Sequence, residues 1–151
     1  MEKAIEVLNA LITINNDRIE GYETALKETD EQDLKDLFSQ FIQTSRKCKQ
    51  RLVSEVNLLG GIPTEGTKTT GKFFRVWMDV KAALTSKDRR SILNSCEFGE
   101  DAAVDTYNKV LKNELEHLSI DQQNMVSAQY ALIKADHDTV RSLRDALVEV
   151  E

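Results

Sequence analysis

From residue 3 to 28 the apolar positions Ile5, Leu8, Ile12, Ile19, Tyr22 and Leu26 recur at spacings of three, four and seven. A 3.6-residue period places them along one stripe of a helix, with Asn15 as its polar interruption. After Asp30, a residue suited to an N-cap, the rhythm resumes in Leu34, Phe38, Phe41, Ser45, Cys48, Leu52 and Leu59 and stops at Gly60. This predicts a second helix of about 28 residues and about 40 Å. So few residues separate the two around Glu28-Thr29-Asp30 that they must pack as an antiparallel hairpin.

The stretch from Gly60 to Gly71 holds four of the six glycines and the single proline, Pro63, and reads as the one long loop. Beyond it Phe73, Trp77, Val80 and Leu84, with Phe74 and Met78 beside them, predict a short amphipathic helix that plugs one end of the core. Ser86 can cap a third long helix with Leu93, Cys96, Glu100, Ala103, Tyr107 and Val110 facing inward. Ser119-Ile120-Asp121-Gln122 is a capping box opening a fourth, along Val126, Tyr130, Ile133, His137, Val140 and Leu147. The expected fold is all-α: a single domain over residues 1–151, an antiparallel four-helix bundle of ferritin-like topology. Its long crossover, carrying the short extra helix, lies between helices 2 and 3. A weak repeat agrees with a duplicated hairpin: Asn15, Tyr22, Leu26 and Lys27 match Glu100, Tyr107, Leu111 and Lys112 at a constant offset of 85.

A composition of 40% hydrophobic and 30% charged residues, with one Pro, supports long helices over turn-rich β structure. Charges at the amino terminus and the lack of a long apolar run argue against a signal peptide or membrane span, so a cytoplasmic protein is expected. Cys48 and Cys96, far apart and outside any C-x-x-C pair, read as small core hydrophobes. The net charge of −6 argues against nucleic-acid binding. It is unevenly spread: residues 46–90 hold eleven Lys/Arg against four Asp/Glu, net +7, and the rest hold nine against twenty-two, net −13. The cluster Arg46-Lys47-Cys48-Lys49-Gln50-Arg51 lacks interleaved aromatics and reads as a solvated helix face.

A dimetal centre in such a bundle needs a Glu from each of two helices and a Glu-x-x-His from each of the other two. Here two His exist in all. Glu97, Glu100 and His137 are the remaining candidate metal ligands. The repeat puts Asn15 opposite Glu100, helix 4 offers Lys134-x-x-His137, and helix 2 offers Ser45-x-x-Cys48 or Gln43-x-x-Arg46 according to register. The literal Glu114-x-x-His117 falls at the closing turn of helix 3 or in its loop, at the end of the bundle, where a helix dipole accounts for the basic residue. Buried Asn15, Ser45, Glu100 and His137 could instead form one hydrogen-bonded layer, with His137 bonded to Glu100 or Asn15. No catalytic residue, cofactor or bound metal is expected from this set.

The landmarks Gly21-Tyr22-x-x-Ala25, Leu59-Gly60-Gly61-Ile62-Pro63, Trp77-Met78-Asp79-Val80-Lys81-Ala82-Ala83-Leu84 and Cys96-Glu97-x-Gly99-Glu100-Asp101 with Tyr107 resemble an uncharacterised bacterial family of ferritin-like four-helix bundles, a domain of unknown function. The wider superfamily, with rubrerythrins and bacterioferritins, would imply iron or peroxide chemistry, but of its ligands only Glu100 and His137 have plausible counterparts. The expected function is therefore non-enzymatic, through self-association as a homo-oligomer or through a protein partner. The alternative is a metal-dependent oxidoreductase or iron-handling protein with a degraded dimetal site, and a further possibility is a small-ligand pocket under Phe73, Phe74 and Trp77.

Overall fold

The computed structural model describes residues 1–66 and 89–150 and builds them from four long helices, with no strand among the described residues. They are α1 (Glu2–Glu28), α2 (Gln32–Leu58), α3 (Arg89–Asn113) and α4 (Ile120–Val150), with a single 3-10 turn at Leu115–His117. The expected Trp77 helix and the Ser86 cap lie outside the described residues.

Local chemistry accounts for most boundaries. At the start of α4, Ser119 Oγ accepts the Gln122 N–H at 3.1 Å and Gln122 Oε1 accepts the Ser119 N–H at 3.0 Å, which is the expected capping box. At the end of α2, Gly60 adopts φ +79°; its N–H and that of Gly61 bond back to the Asn57 and Val56 carbonyls, closing a Schellman motif. A Cβ on Gly61 would meet Ile5 Cγ2 at 2.8 Å, so a side chain there would push the chain off α1. The expected Asp30 cap is corrected: Glu31 precedes α2 and makes no side-chain cap bond, while Thr29 Oγ1 accepts the Glu31 N–H.

The contacts fix helix directions. Tyr22 on α1 meets Glu100 on α3, and Asn15 meets Tyr107, so α1 and α3 run antiparallel. Gln122 reaches Glu55 and Gln129 reaches Cys48, so α2 and α4 do too. Arg89 at the start of α3 pairs with Asp33 at 2.7 Å and with Glu31 at 3.2 Å. α3 therefore begins beside the start of α2, at the opposite end of the bundle from where α2 stops. From that stop the chain is strapped along α1: Asn9 bonds Ile62 O and the Thr64 N–H, and Asn16 Nδ2 donates to Gly66 O at 2.8 Å.

The apolar core is two clusters. One gathers Leu8, Leu11, Ile12, Leu52, Val56, Tyr107, Val126 and Ile133; the other Tyr22, Leu34, Phe38, Phe41, Leu93, Cys96 and Val140. Each fully buried side chain of this size contributes roughly 1.5–3 kcal/mol of transfer free energy. Between the clusters, at mid-bundle, buried polar residues cross the core: Asn15, Arg18, Ser45, Glu100, Gln129 and Asp136.

Candidate functional site

Arg18 is fully buried at the centre of the bundle. Its Nη2 donates to Glu100 Oε1 at 2.7 Å and to Asp136 Oδ2 at 3.2 Å, its Nη1 to Ser45 Oγ at 2.6 Å, and its Nε to Glu100 Oε1 at 3.3 Å. Tyr22 OH donates to the same Glu100 oxygen at 2.5 Å. All four helices thus converge on one guanidinium, which also lies 5.8 Å from the Tyr22 ring centroid and 5.9 Å from that of Phe41. Glu100 Oε2 has no partner among the described residues.

The electrostatics hold that cation in place. Burial works against the Arg18 charge, but Glu100, then Tyr22 and Asp136, outweigh it and hold its pKa above the usual value. Burial, and then Glu100, pushes the Tyr22 phenol well above its ordinary range, so it stays a donor. Burial also raises Cys48 to about 11 and Cys96 further, so neither is an available nucleophile near neutral pH.

Asp136 is pushed up to about 6, by burial first and by Glu100, with Arg18 opposing. Between about pH 4 and 6 the folded protein keeps this proton while an unfolded chain releases it. The contribution of Asp136 to stability is therefore present at low pH and lost as pH rises to about 6. Relative to Asp136→Asn, the wild type should lose on the order of 2 kcal/mol between pH 4 and pH 7. Urea titrations of both proteins across that range check this, and a difference that stays flat with pH would refute it.

A second polar layer sits one helical turn away. Asn15 Nδ2 donates to Tyr107 OH at 2.8 Å and to Leu11 O at 2.9 Å; Tyr107 OH donates to Gln129 Oε1 at 2.7 Å, and Gln129 Nε2 to Cys48 O at 3.2 Å. The two layers explain the repeat: Tyr22 bonds Glu100 on the opposite helix, and its counterpart Tyr107 bonds Asn15, the counterpart of Glu100.

Among the candidate metal ligands, Glu100 stands in the central layer, where Arg18 has taken up its charge. The expected single layer containing His137 is corrected. His137 lies buried at the α3–α4 seam, with Nε2 2.5 Å from Asp101 Oδ1 and Nδ1 3.1 Å from Asp138 Oδ1, and bonds neither Glu100 nor Asn15. Lys134 is partly exposed and pairs with Asp138 at 2.8 Å, outside the central layer. Glu97 pairs with Arg144. On α2 the register is Ser45 and Cys48 inward, with Arg46 exposed and bonded to Glu23 at 3.0 Å. His117 is 3.5 Å from Glu114 at the end of the bundle, as its place in the sequence suggested.

The residues missed from sequence are Arg18, Asp136, Gln129 and Asp101. A signal for the first existed: Arg18 stands three residues after Asn15 and four before Tyr22, two inward positions of the α1 stripe, so the spacing that turns those two inward carries Arg18 with them. On α4 the inward series runs Val126, Gln129, Ile133, Asp136, Val140, one residue away from the Tyr130 and His137 that spacing alone favoured.

The architecture and site define an all-helical bundle protein with a charged hydrogen-bonded layer in place of an apolar centre. Over residues 3–113 the chain matches a domain of unknown function, DUF2383, and it belongs to that family. No curated protein matches it significantly.

Proposed function

We propose that this chain is a ferritin-like bundle that does no chemistry at its centre and acts through self-association or a protein partner. The observation that carries this reading is Arg18. A dimetal bundle places two divalent ions on about six inward ligands at mid-core. Here one guanidinium fills that position, and Glu100, Asp136, Ser45 and Tyr22 are oriented around it. The antiparallel pairing of α1 with α3 and of α2 with α4 supports the ferritin-like arrangement.

Two features support association. Leu58, Ile62 and Ile120 are exposed large apolar residues at the same end of the bundle, and the basic segment 46–90 complements the acidic remainder. No helix among the described residues is long and apolar enough to cross a membrane.

The test is sedimentation together with a ferrous-ion assay. The protein is expected to run as a dimer or larger assembly that weakens with salt, as the Debye length falls from about 10 Å at 0.1 M to about 3 Å at 1 M. It is expected to hold no pair of iron ions and to oxidise Fe2+ no faster than buffer does. A strict monomer at micromolar concentration removes self-association, and rapid iron oxidation restores the metal-dependent oxidoreductase as the better reading.

A further inference from the structure

Away from the centre, at the α3–α4 seam, Glu97, Asp101 and His137 bring one carboxylate oxygen each and one imidazole nitrogen to within 4.8 Å of one another. Glu97 and Asp101 are four residues apart, so both project from the same face of α3. His137 comes from α4, with its side chain 8% exposed and its Nε2 turned toward Asp101.

We propose that these three residues form a mononuclear site for a divalent transition-metal ion of the zinc class, distinct from the arginine-filled centre. Three features argue for it. The donor set, one imidazole and two carboxylates, suits a borderline cation such as Zn2+, and its charge of −2 balances the ion. The other ring nitrogen, Nδ1, lies 3.1 Å from Asp138 Oδ1, and a carboxylate behind a histidine is the arrangement that fixes the ring and its tautomer for ligation. A groove of about 340 Å3, lined by Asn94, Glu97, Phe98, Asp101 and Arg144, opens beside the ligands and leaves room for water in the remaining coordination positions.

Bond lengths of roughly 2.0–2.2 Å set neighbouring ligand atoms roughly 3.3 Å apart in a tetrahedral centre. Small side-chain rotations bring the three atoms to that spacing. Asp101, half exposed, has the freedom to move, while His137 is held by packing. Arg144 is the built-in competitor. Its guanidinium contacts Glu97 and also reaches Asp145 Oδ1 at 2.9 Å, so it has a second acceptor to which it can withdraw.

Calorimetric titration of the full chain with Zn2+, repeated with Co2+ read by visible absorption, tests the site. One ion per chain is expected. Asp101→Asn, at a half-exposed position and with its fold checked by circular dichroism, should weaken binding at least tenfold. Asp138→Asn should weaken it by about 10- to 100-fold through loss of the orienting carboxylate. Arg144→Gln should tighten it by removing the competing cation. Absence of Zn2+ binding in the submillimolar range overturns the proposal and leaves the cluster as an ion pair joining α3 to α4. Binding that Asp101→Asn does not weaken, or that Arg144→Gln does not strengthen, places the ion elsewhere and overturns it equally.

Discussion

Replacing Arg18 with Met is expected to destabilise the protein by about 3–5 kcal/mol, the cost of removing one partner from a buried ion pair. Arg18 and Glu100 are both fully buried, and Glu100 Oε1 accepts from Arg18 and Tyr22 alike. Without the guanidinium, a carboxylate remains in a low-dielectric core with a single phenolic donor. For a chain of this size each kcal/mol corresponds to roughly 2–4 °C in Tm, so a fall of about 6–20 °C should be visible in thermal melts. The cause is separable from mere loss of packing. A triple change, Arg18→Met with Glu100→Met and Asp136→Leu, removes all three buried charges together and should recover much of the loss, because apolar replacement of a whole buried ionic group is often close to neutral. Urea midpoints for the single and triple variants decide it. A triple variant no more stable than Arg18→Met would mean that the layer is not what Arg18 serves.

The helices were legible because their apolar periodicity runs nearly their whole length, broken only by single polar positions such as Asn15, Ser45 and Glu100. Leu34, Phe38, Phe41, Cys48 and Leu52 on α2, and Leu93, Cys96, Glu100, Ala103, Tyr107 and Val110 on α3, are all buried as their spacing predicts. The α4 cap was legible because a capping box is a local, reciprocal interaction that needs no tertiary context. The central layer was not. Arginine is almost never fully buried unless paired, so position 18 reads as solvent-facing, and its partners lie 27, 82 and 118 residues away in sequence. On α4 a one-residue difference in register exchanges Asp136 for His137. Spacings of three and four permit either series, and an acidic residue next to a histidine gives no local reason to choose it. The repeat between Asn15 and Glu100 came nearest to the site, since it named Glu100, the acceptor from Tyr22, and Asn15, the donor to Tyr107, with both tyrosines, but it did not reveal the cation on Glu100.

If Arg18 is the cation that this core requires, reversing its charge should be more damaging than deleting it. Arg18→Glu puts a third carboxylate beside Glu100 and Asp136, in a space where Asp136 already has its pKa raised to about 6 by burial and by Glu100. Like charges sharing a buried site cannot all ionise, so the variant folds only by taking up protons. At pH 7.5 the loss should exceed that of Arg18→Met, on the order of 5 kcal/mol or more, enough to unfold much of the population of a domain with typical stability. In this variant mutual repulsion of three buried carboxylates favours their protonated forms, so stability is present at low pH and is lost as pH climbs. Helical signal at 222 nm should therefore return on acidification toward pH 5, the reverse of ordinary acid unfolding. Mn2+ supplies a comparable correction by charge: with Ser45 and Tyr22 adding neutral oxygens, a hard cation meets an all-oxygen cage. The Arg18→Glu chain should accordingly gain more in melting temperature from Mn2+ over chelator at pH 7.5 than the wild type, whose α3–α4 seam is unchanged in the variant. A variant that is as stable as the wild type at pH 7.5 in chelator would show that the centre has no need of a cation, and the role given to Arg18 would fall with it.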